Sequence, residues 1–354
     1  MRNPNYVVIM AGGVGSRFWP ISRNSYPKQF LDILGIGQTL IQQTYNRFEK
    51  LVPIENIFVI TADDYIDIVK EQLPLLPVDN ILGEPCRKNT APCIAYLSFK
   101  LMQKDPEAVL IIAPADHLIL NQPTFLEICN QALHFAINNK SLLTLGITPT
   151  YANTGYGYIQ RSEHEVSPSI YKVKQFTEKP NIEKANAFIA SGDYLWNAGI
   201  FVWKAETILE AFKTWLPDIY ELFQNAWDSY NTADEKKVVD EIYKQCRSIS
   251  VDVGIMEKAE NVYIYPSAFG WSDLGTWTSA WENMPKDTSN NAVSGNSVVI
   301  IDASKCVVHA PHKKTVVVQG LDNFIIVDTL DALLICSKDK EQDIKQYVEM
   351  LNVN

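Results

Sequence analysis

Along the first half of the chain, apolar and polar positions fall into blocks whose period switches repeatedly. Tyr6–Met10 is a continuous apolar run of strand length that gives way to a glycine-rich turn. Thr39–Leu51 then sets Leu40, Ile41, Tyr45, Phe48 and Leu51 at helical spacing. A strand over Ile57–Ile60, helices over Asp63–Gln72 and Thr90–Gln103, and a strand over Ala108–Ala113 continue the alternation. Strands separated by helices need crossover connections, so the pattern predicts a doubly wound α/β unit with a mostly parallel sheet. Ligands of such sheets bind at the carboxyl ends of the strands. Two polar loops fall at such ends, one after Met10 and the other, Pro114-Ala115-Asp116-His117, after Ala113.

From Leu142 to Val202 strands and loops mix, including Gly155–Ile159 and Ile170–Phe176, and Lys204 to about Tyr243 reads as helical and rich in aromatics. The texture changes after Pro285. Short β-branched runs recur at Ser297–Ile301, Cys306–His309, Thr315–Val318, Phe324–Val327 and Leu333–Cys336, with turn residues between them. This predicts an all-β module closed by an amphipathic helix near Lys340–Leu351. The polar cluster Met284–Asn291 marks the boundary, giving domains over 1–285 and 286–354.

Composition narrows the range of functions. A chain of 354 residues that is 47% hydrophobic has material for about two domains, at roughly 150 residues each. Lys and Arg total 31 against 41 Asp and Glu, a net charge of −10, which argues against nucleic-acid and anionic-membrane partners. A small anionic ligand remains open, because a few local cations and backbone amides suffice. No apolar run nears the roughly 18 residues that span a bilayer, and Tyr6–Met10 is too short for a signal-peptide core. The six cysteines are scattered without a C-x-x-C pair, the usage of a cytoplasmic protein with reduced thiols.

Chemistry concentrates in a few blocks. Ala11-Gly12-Gly13-Val14-Gly15-Ser16-Arg17 follows the first strand, and glycines there let backbone N–H groups approach an anion. The block is neither a dinucleotide fingerprint, since Phe18 stands at the third glycine, nor a Walker A loop. Arg17 and Lys28, separated by proline-constrained chain, suit a polyphosphate clamp but read also as solvated cations on a turn. Asp116 suits a hard cation at a strand end and equally an N-cap. Asp273, framed by Gly270-Trp271 and Gly275-Thr276-Trp277, is a fixed carboxylate or a plain turn residue. Glu84, Asn89 and Thr90 could read a nucleobase edge, or the latter two could cap the next helix. Glu178-Lys179 offers a carboxylate for hydroxyls beside a cation for a phosphate, or a solvated pair. Asn197 could hold a hydroxyl or satisfy a turn. His309-x-x-His312 is taken as a loop rather than a metal site. Gly-x-Ser-x-Gly and His-Glu-x-x-His are absent, so covalent hydrolase chemistry has no support.

Taken in order, these blocks resemble the nucleotide-sugar pyrophosphorylases, and within them the guanylyl branch that acts on mannose 1-phosphate. The resemblance runs over about 6–285. It is carried by Ala11–Arg17 with Phe18-Trp19-Pro20-Ile21-Ser22-Arg23, Pro27-Lys28-Gln29-Phe30, Gly83-Glu84-Pro85 with Arg87 and Asn89-Thr90-Ala91-Pro92, and Pro114–His117. Thr154–Ile159, Phe176–Pro180, Trp196–Phe201, Asp252 with Gly254–Lys258, and Trp271–Gly275 complete it. Ala152-Asn153 departs from the family's frequent Pro-Glu, and Val253 from its frequent Tyr. The resemblance implies a Rossmann-like doubly wound mixed sheet, the nucleotide-diphospho-sugar transferase fold. It implies GTP and mannose 1-phosphate as substrates, GDP-mannose and diphosphate as products, and Mg²⁺, or another hard divalent cation such as Mn²⁺, as cofactor.

The same resemblance assigns roles. Arg17 and Lys28, with the amides around Ala11, Gly12, Gly13, Gly15 and Ser16, would hold the triphosphate. Asp116 and Asp273 would hold the metal, and Lys179 the sugar phosphate. Glu178, Asn197 and Gly155 would contact the sugar, and guanine would lie near Ala11–Gly13 and Glu84–Thr90. Long members carry a further isomerase domain, which residues after 285 leave no room for, so isomerase activity is not expected. The β module resembles the left-handed β-helix tail of short members, which implies a homodimer. A pyrophosphorylase for another pair, such as glucose 1-phosphate with UTP or dTTP, stays open. A noncatalytic nucleotide-sugar sensor would be expected to lack Arg17, Lys28, Asp116 or Asp273. A nicotinamide oxidoreductase is disfavoured by the missing third glycine and by Leu34-Gly35 in the region where a ribose-binding acid belongs, with only Asp32 as a candidate for it.

Overall fold

Strands covered by helices on both faces must be apolar throughout, and Val7, Val8 and Ile9 of the first strand are fully buried. The computed structural model describes residues 3–351. Its elements in chain order begin β1 (Asn5–Met10), α1 (Leu40–Phe48), β2 (Ile57–Ala62), α2 (Ile66–Gln72), β3 (Ile81–Glu84), α3 (Thr90–Lys104), β4 (Val109–Pro114), β5 (Leu118–Ile119) and α4 (Gln122–Asn138). They continue with β6 (Leu142–Ile147), β7 (Tyr158–Ser167), β8 (Ile170–Thr177), α5 (Ile182–Ser191), β9 (Tyr194–Lys204), α6 (Ala205–Trp215), α7 (Pro217–Gln224), α8 (Glu235–Gln245), β10 (Val262–Ser267) and β11 (Trp271–Ser272). The last are α9 (Trp277–Asn283), β12 (Ala292–Ser294), β13 (Val298–Ile301), β14 (Val307–His309), β15 (Val316–Gln319), β16 (Phe324–Asp328), β17 (Leu333–Ser337) and α10 (Ile344–Leu351).

The chain forms two compact units. The first holds the residues up to Gly12 with Tyr45–Pro114 and Ile119–Trp271, and the second holds Gly13–Thr44, Ala115–Leu118 and the chain from Ser272 on. The first unit is built on a nine-stranded sheet in the order β3-β2-β1-β4-β9-β6-β10-β8-β7. β1 pairs in parallel with β2 on one side and β4 on the other, and Met10 lies opposite Pro114. The strand order therefore reverses between β1 and β4, the switch point at which doubly wound sheets bind ligands. β9 runs antiparallel to both β4 and β6, and β7 and β8 form an antiparallel pair. The sheet is thus mixed, as the family resemblance implied; the period of apolar residues finds strands but carries no information on their direction. Ala91–Leu101 of α3 are all buried, because the helix lies under α6 and α7.

In the second unit β12, β14 and β16 stack in parallel, and β13 pairs in parallel with β15. The chain visits the two sheets in turn and stacks Ala292, Val307 and Ile325 in one column, the coiling of a β-helix-like module. Successive side chains point to opposite faces of a strand. Accordingly Val308 and Ile326 pack inside the coil with Cys306 and Val318. Val307 and Ile325 pack outward with Phe18, Ile33, Leu40, Trp277 and Ile344.

Several bounds shift from the sequence reading. α2 begins at Ile66, because Asp63–Tyr65 form a 3₁₀ turn, and α10 begins at Ile344 after a similar turn over Lys338–Asp343. β7 begins at Tyr158, leaving Gly155–Gly157 in the preceding loop. The helical stretch after Lys204 breaks into α6, α7 and α8, with Pro217 opening α7, where its missing N–H costs nothing. β12 has no counterpart in the sequence pattern, since three residues are too few for a period. Among the described residues no helix is long and apolar enough to cross a membrane.

Candidate active site

The loop after β1 is shaped by Gly15, which sits at φ 72°, a left-handed conformation that other residues adopt at a cost. A Cβ on Gly15 would stand 2.4 Å from Cβ of Lys28, so the glycine makes room for the lysine stem. Lys28 opens a short turn after Pro27, and its backbone N–H donates to the Val14 carbonyl at 3.1 Å. Its side chain is 4% exposed. From that buried position Nζ donates to Oδ2 of Asp116 at 2.9 Å and to the backbone carbonyl of Asp273 at 2.7 Å. Burial alone would push the Asp116 carboxyl up, but the Lys28 ammonium, aided by His117, holds it below the ordinary carboxylate range.

Asp273 is anchored from the other direction. Its Oδ1 accepts the Gly275 N–H at 3.0 Å. Directly after it, Thr276 and Ser279 form a capping box that starts α9. Lys28, Asp116 and Asp273 are thereby brought together within the second unit. Arg17 is exposed and, among the described residues, makes no hydrogen bond or ion pair, and Gly13 is exposed. Among the described residues no group of three or more His, Cys, Asp or Glu could hold a metal by itself. Two carboxyl-bearing residues tied to one ammonium still fit a divalent ion that completes its shell with phosphate oxygens and water.

Within the first unit, Glu84 ends β3 and is 7% exposed. Its Oε1 accepts the Tyr243 hydroxyl at 2.8 Å. Burial pushes its carboxyl up to about 7, with Asp63 adding to the rise and the Tyr243 bond opposing it. A Cβ on Gly12 would meet Oε2 of Glu84 at 3.6 Å. Ala11 is pinned to β2: its N–H donates to the Ile60 carbonyl and its carbonyl accepts the Thr61 hydroxyl. Asn89, at φ 68°, caps α3 by accepting the Thr90 N–H, and Oγ1 of Thr90 accepts the Val251 N–H at 2.9 Å. Both side chains thus have structural work.

A further cluster of the same unit gathers around Asn197 on β9. Gly199 N–H and Thr144 Oγ1 donate to its Oδ1 at 3.0 and 3.1 Å, and its Nδ2 donates to Asp252 Oδ1 at 2.8 Å. Burial first, and Glu178 second, push the Asp252 carboxyl up to about 6. Glu178 pairs with Lys179 at 2.7 Å, and its N–H donates to Glu257. A Cβ on Gly157 would fall 2.5 Å from Oε2 of Glu178 and 3.3 Å from Cβ of Asn197, so only a glycine here lets these two side chains approach the backbone this closely. Gly155 N–H donates to Oδ1 of Asn153. Sequence reasoning assigned no role to Thr144, Gly157 or Asp252. Thr144 carried one signal, a lone hydroxyl inside the apolar run of β6.

The doubly wound sheet of the first unit, and separately the buried lysine with its two aspartates in the second, are features that nucleotidyl transferases carry, and a family comparison bears out that class. Residues 6–290 match the Nucleotidyl transferase family and residues 295–351 the MannoseP isomerase/GMP-like beta-helix domain, and the chain belongs to that family. Among its relatives, the mannose-1-phosphate guanylyltransferase of Salmonella muenchen is 38% identical over 98% of this chain and 73% of its own length. The Escherichia coli protein of the same name is 37% identical over 98% of this chain and 74% of its own length. The crystal structure of a mannose-1-phosphate geranyltransferase from Thermus thermophilus superposes with a TM-score of 0.90 at 30% identity, covering 99% of this chain and 100% of that one.

Proposed function

We propose that this nucleotidyltransferase converts GTP and mannose 1-phosphate to GDP-mannose and diphosphate. The observation that carries the reading is the buried Lys28 ammonium, held between Asp116 and the Asp273 carbonyl. An ammonium has three N–H donors; two are engaged, and the third is left for a phosphate oxygen. In this reading the sugar phosphate oxygen attacks the α-phosphorus in line and diphosphate leaves. The second pKa of a phosphate monoester is about 6, so the nucleophile is largely dianionic at neutral pH and needs no base. Catalysis then rests on positioning and charge stabilisation.

Lys28 and Arg17, with the amides of Gly12, Gly13, Gly15 and Ser16, bind the triphosphate. Ala11, Glu84, Asn89 and Thr90 border the guanine. Gly155, Glu178 and Asn197 orient the sugar, and Lys179 leaves its surface pair to meet the sugar phosphate. Nucleotidyl transferases use a divalent metal. Asp116 and Asp273 would hold it, as Mg²⁺ or Mn²⁺, and the bound ion would supply charge neutralisation at the phosphates. The reading includes a catalytic domain over 1–285, a β module over 286–354, a homodimer and a cytoplasmic location. The test is diphosphate release from mannose 1-phosphate and Mg²⁺ with GTP, ATP, UTP or dTTP in turn. Release with GTP, together with GDP-mannose by mass, supports the reading; release with another nucleotide moves the base assignment, and silence with all four sinks it.

A further inference from the structure

The Asn197 carboxamide has only one orientation that its neighbours permit. The Gly199 N–H can only donate, so it must face the amide oxygen, which also takes the Thr144 hydroxyl. An ionised Asp252 can only accept, so it must face the amide nitrogen. The Thr144 hydroxyl shares its single proton between this oxygen and the Ile200 carbonyl, so the Gly199 N–H is the fixed donor to the oxygen, and the nitrogen keeps one uncommitted N–H. The amide is half-buried, and the missing side chain of Gly157 lets the Glu178 carboxylate lie close beside it.

From this arrangement, and resting on the reaction proposed above, we infer that Asp252 is the positioning residue of the sugar pocket. Its bond to Asn197 commits that side chain to offer a single N–H to an acceptor oxygen of the sugar. The selection is chemical. A hydroxyl meeting this amide must accept from Asn197, while a neighbouring hydroxyl can donate to Glu178. A sugar that lacks an oxygen at the first position leaves a half-buried N–H without a partner, which costs more than the bond itself is worth. Charge on Asp252 strengthens the tether, since hydrogen bonds to ionised acceptors are about twice as strong as neutral ones. The charged groups that act on Asp252 are Glu178 and Lys179, both from the turn after β8. Glu178 disfavours its ionisation and Lys179 favours it. As pH falls through about 6, the tether loses its charge and weakens, while the Gly199 N–H still faces the amide oxygen.

The test compares the parent enzyme with Asp252→Asn in diphosphate release from GTP and mannose 1-phosphate. At pH 7.5 the variant should raise KM for mannose 1-phosphate about tenfold while leaving KM for GTP within twofold. Binding of GDP-mannose, whose phosphates do not titrate near pH 6, should weaken between pH 7.5 and 5 more in the parent than in the variant. Equal changes in both KM values, or parallel binding profiles, overturn the assignment of Asp252. Should Asp252→Asn not fold, Asp252→Ser, which removes the charged acceptor facing the Asn197 nitrogen, must raise the same KM selectively; an unchanged KM there overturns the proposal equally. A parent enzyme with no activity toward GTP and mannose 1-phosphate would instead sink the reaction on which the inference rests.

Discussion

Lys28 and Glu84 are the two residues whose burial most directly constrains the chemistry. Lys28→Ala removes the cation that balances Asp116 and the donor left for phosphate. Loss of one such charge-stabilising donor costs about 10²–10³ in rate, so kcat should fall by that factor. A normal kcat combined with a lower melting temperature would show that the lysine serves only to pair Asp116. Glu84 presents the opposite balance. Its carboxyl sits near 7, pushed up first by burial, so at pH 8 the folded state carries a buried charge that the unfolded state solvates freely. Glu84→Gln keeps the acceptor for Tyr243 and removes that charge. It should therefore raise stability at pH 8 by on the order of 2–3 kcal/mol. It should also raise KM for GTP, because a neutral amide offers guanine one acceptor and one clashing donor. Denaturant unfolding and initial-rate kinetics on the one variant check both, and a change in neither would remove Glu84 from the base site.

At the scale of elements, the loop between β1 and α1 depends on Gly15. Gly15→Ala meets both the left-handed backbone and the Lys28 stem, whereas Gly192→Ala meets only the backbone, having nothing within 4 Å. Gly192→Ala should lose about 1–2 kcal/mol of stability for the left-handed backbone alone, and Gly15→Ala more, because its Cβ also collides with the Lys28 stem. Only Gly15→Ala should lose kcat on the scale of Lys28→Ala, and equal kinetics in the two variants would contradict the account of the loop. The same segment shows what could be read beforehand. Gly15, Lys28, Asp116 and Asp273 were legible because each stands in a local block at a strand end or tight turn. The tether of Asn197 to Asp252 was not, since it joins β9 to the start of a short π-helix (Asp252–Met256) 55 residues on, and no local period encodes such a contact. β12 stayed hidden for a different reason: three residues gain their strand character from pairing with β14. Nor does periodicity tell that Gly13–Thr44 belongs with the chain from Ser272 on. That grouping follows from Phe18, Ile33 and Leu40 sharing a core with Trp277 and Ile325.

At the scale of the molecule, the carboxyl and imidazole groups that burial displaces furthest divide by unit, and the two units should answer acid in opposite directions. In the first, Glu84 and Asp252 have carboxyls raised to about 7 and about 6, mainly by burial. The folded state takes up these protons before the unfolded one does, so the unit gains stability as pH falls from about 7 toward the ordinary carboxylate range. In the second, His309 lies in β14 at 7% exposure with Nδ1 buried and without a partner among the described residues. Burial pushes its imidazole down to about 4. The unfolded chain then takes up the proton first, and stability is lost as pH drops from 6.5 toward 4, by about 3 kcal/mol in all. Asp116, held low by Lys28, adds a loss at still lower pH. Acidification from pH 7.5 to 5 should therefore raise amide exchange, corrected for its intrinsic pH dependence, in β14 and β16 while leaving β1 and β4 protected. His309→Gln should flatten the response in β14 and β16. If exchange rises equally in all four strands, or if the variant opens as the parent does, the acid response lies elsewhere than in this buried imidazole.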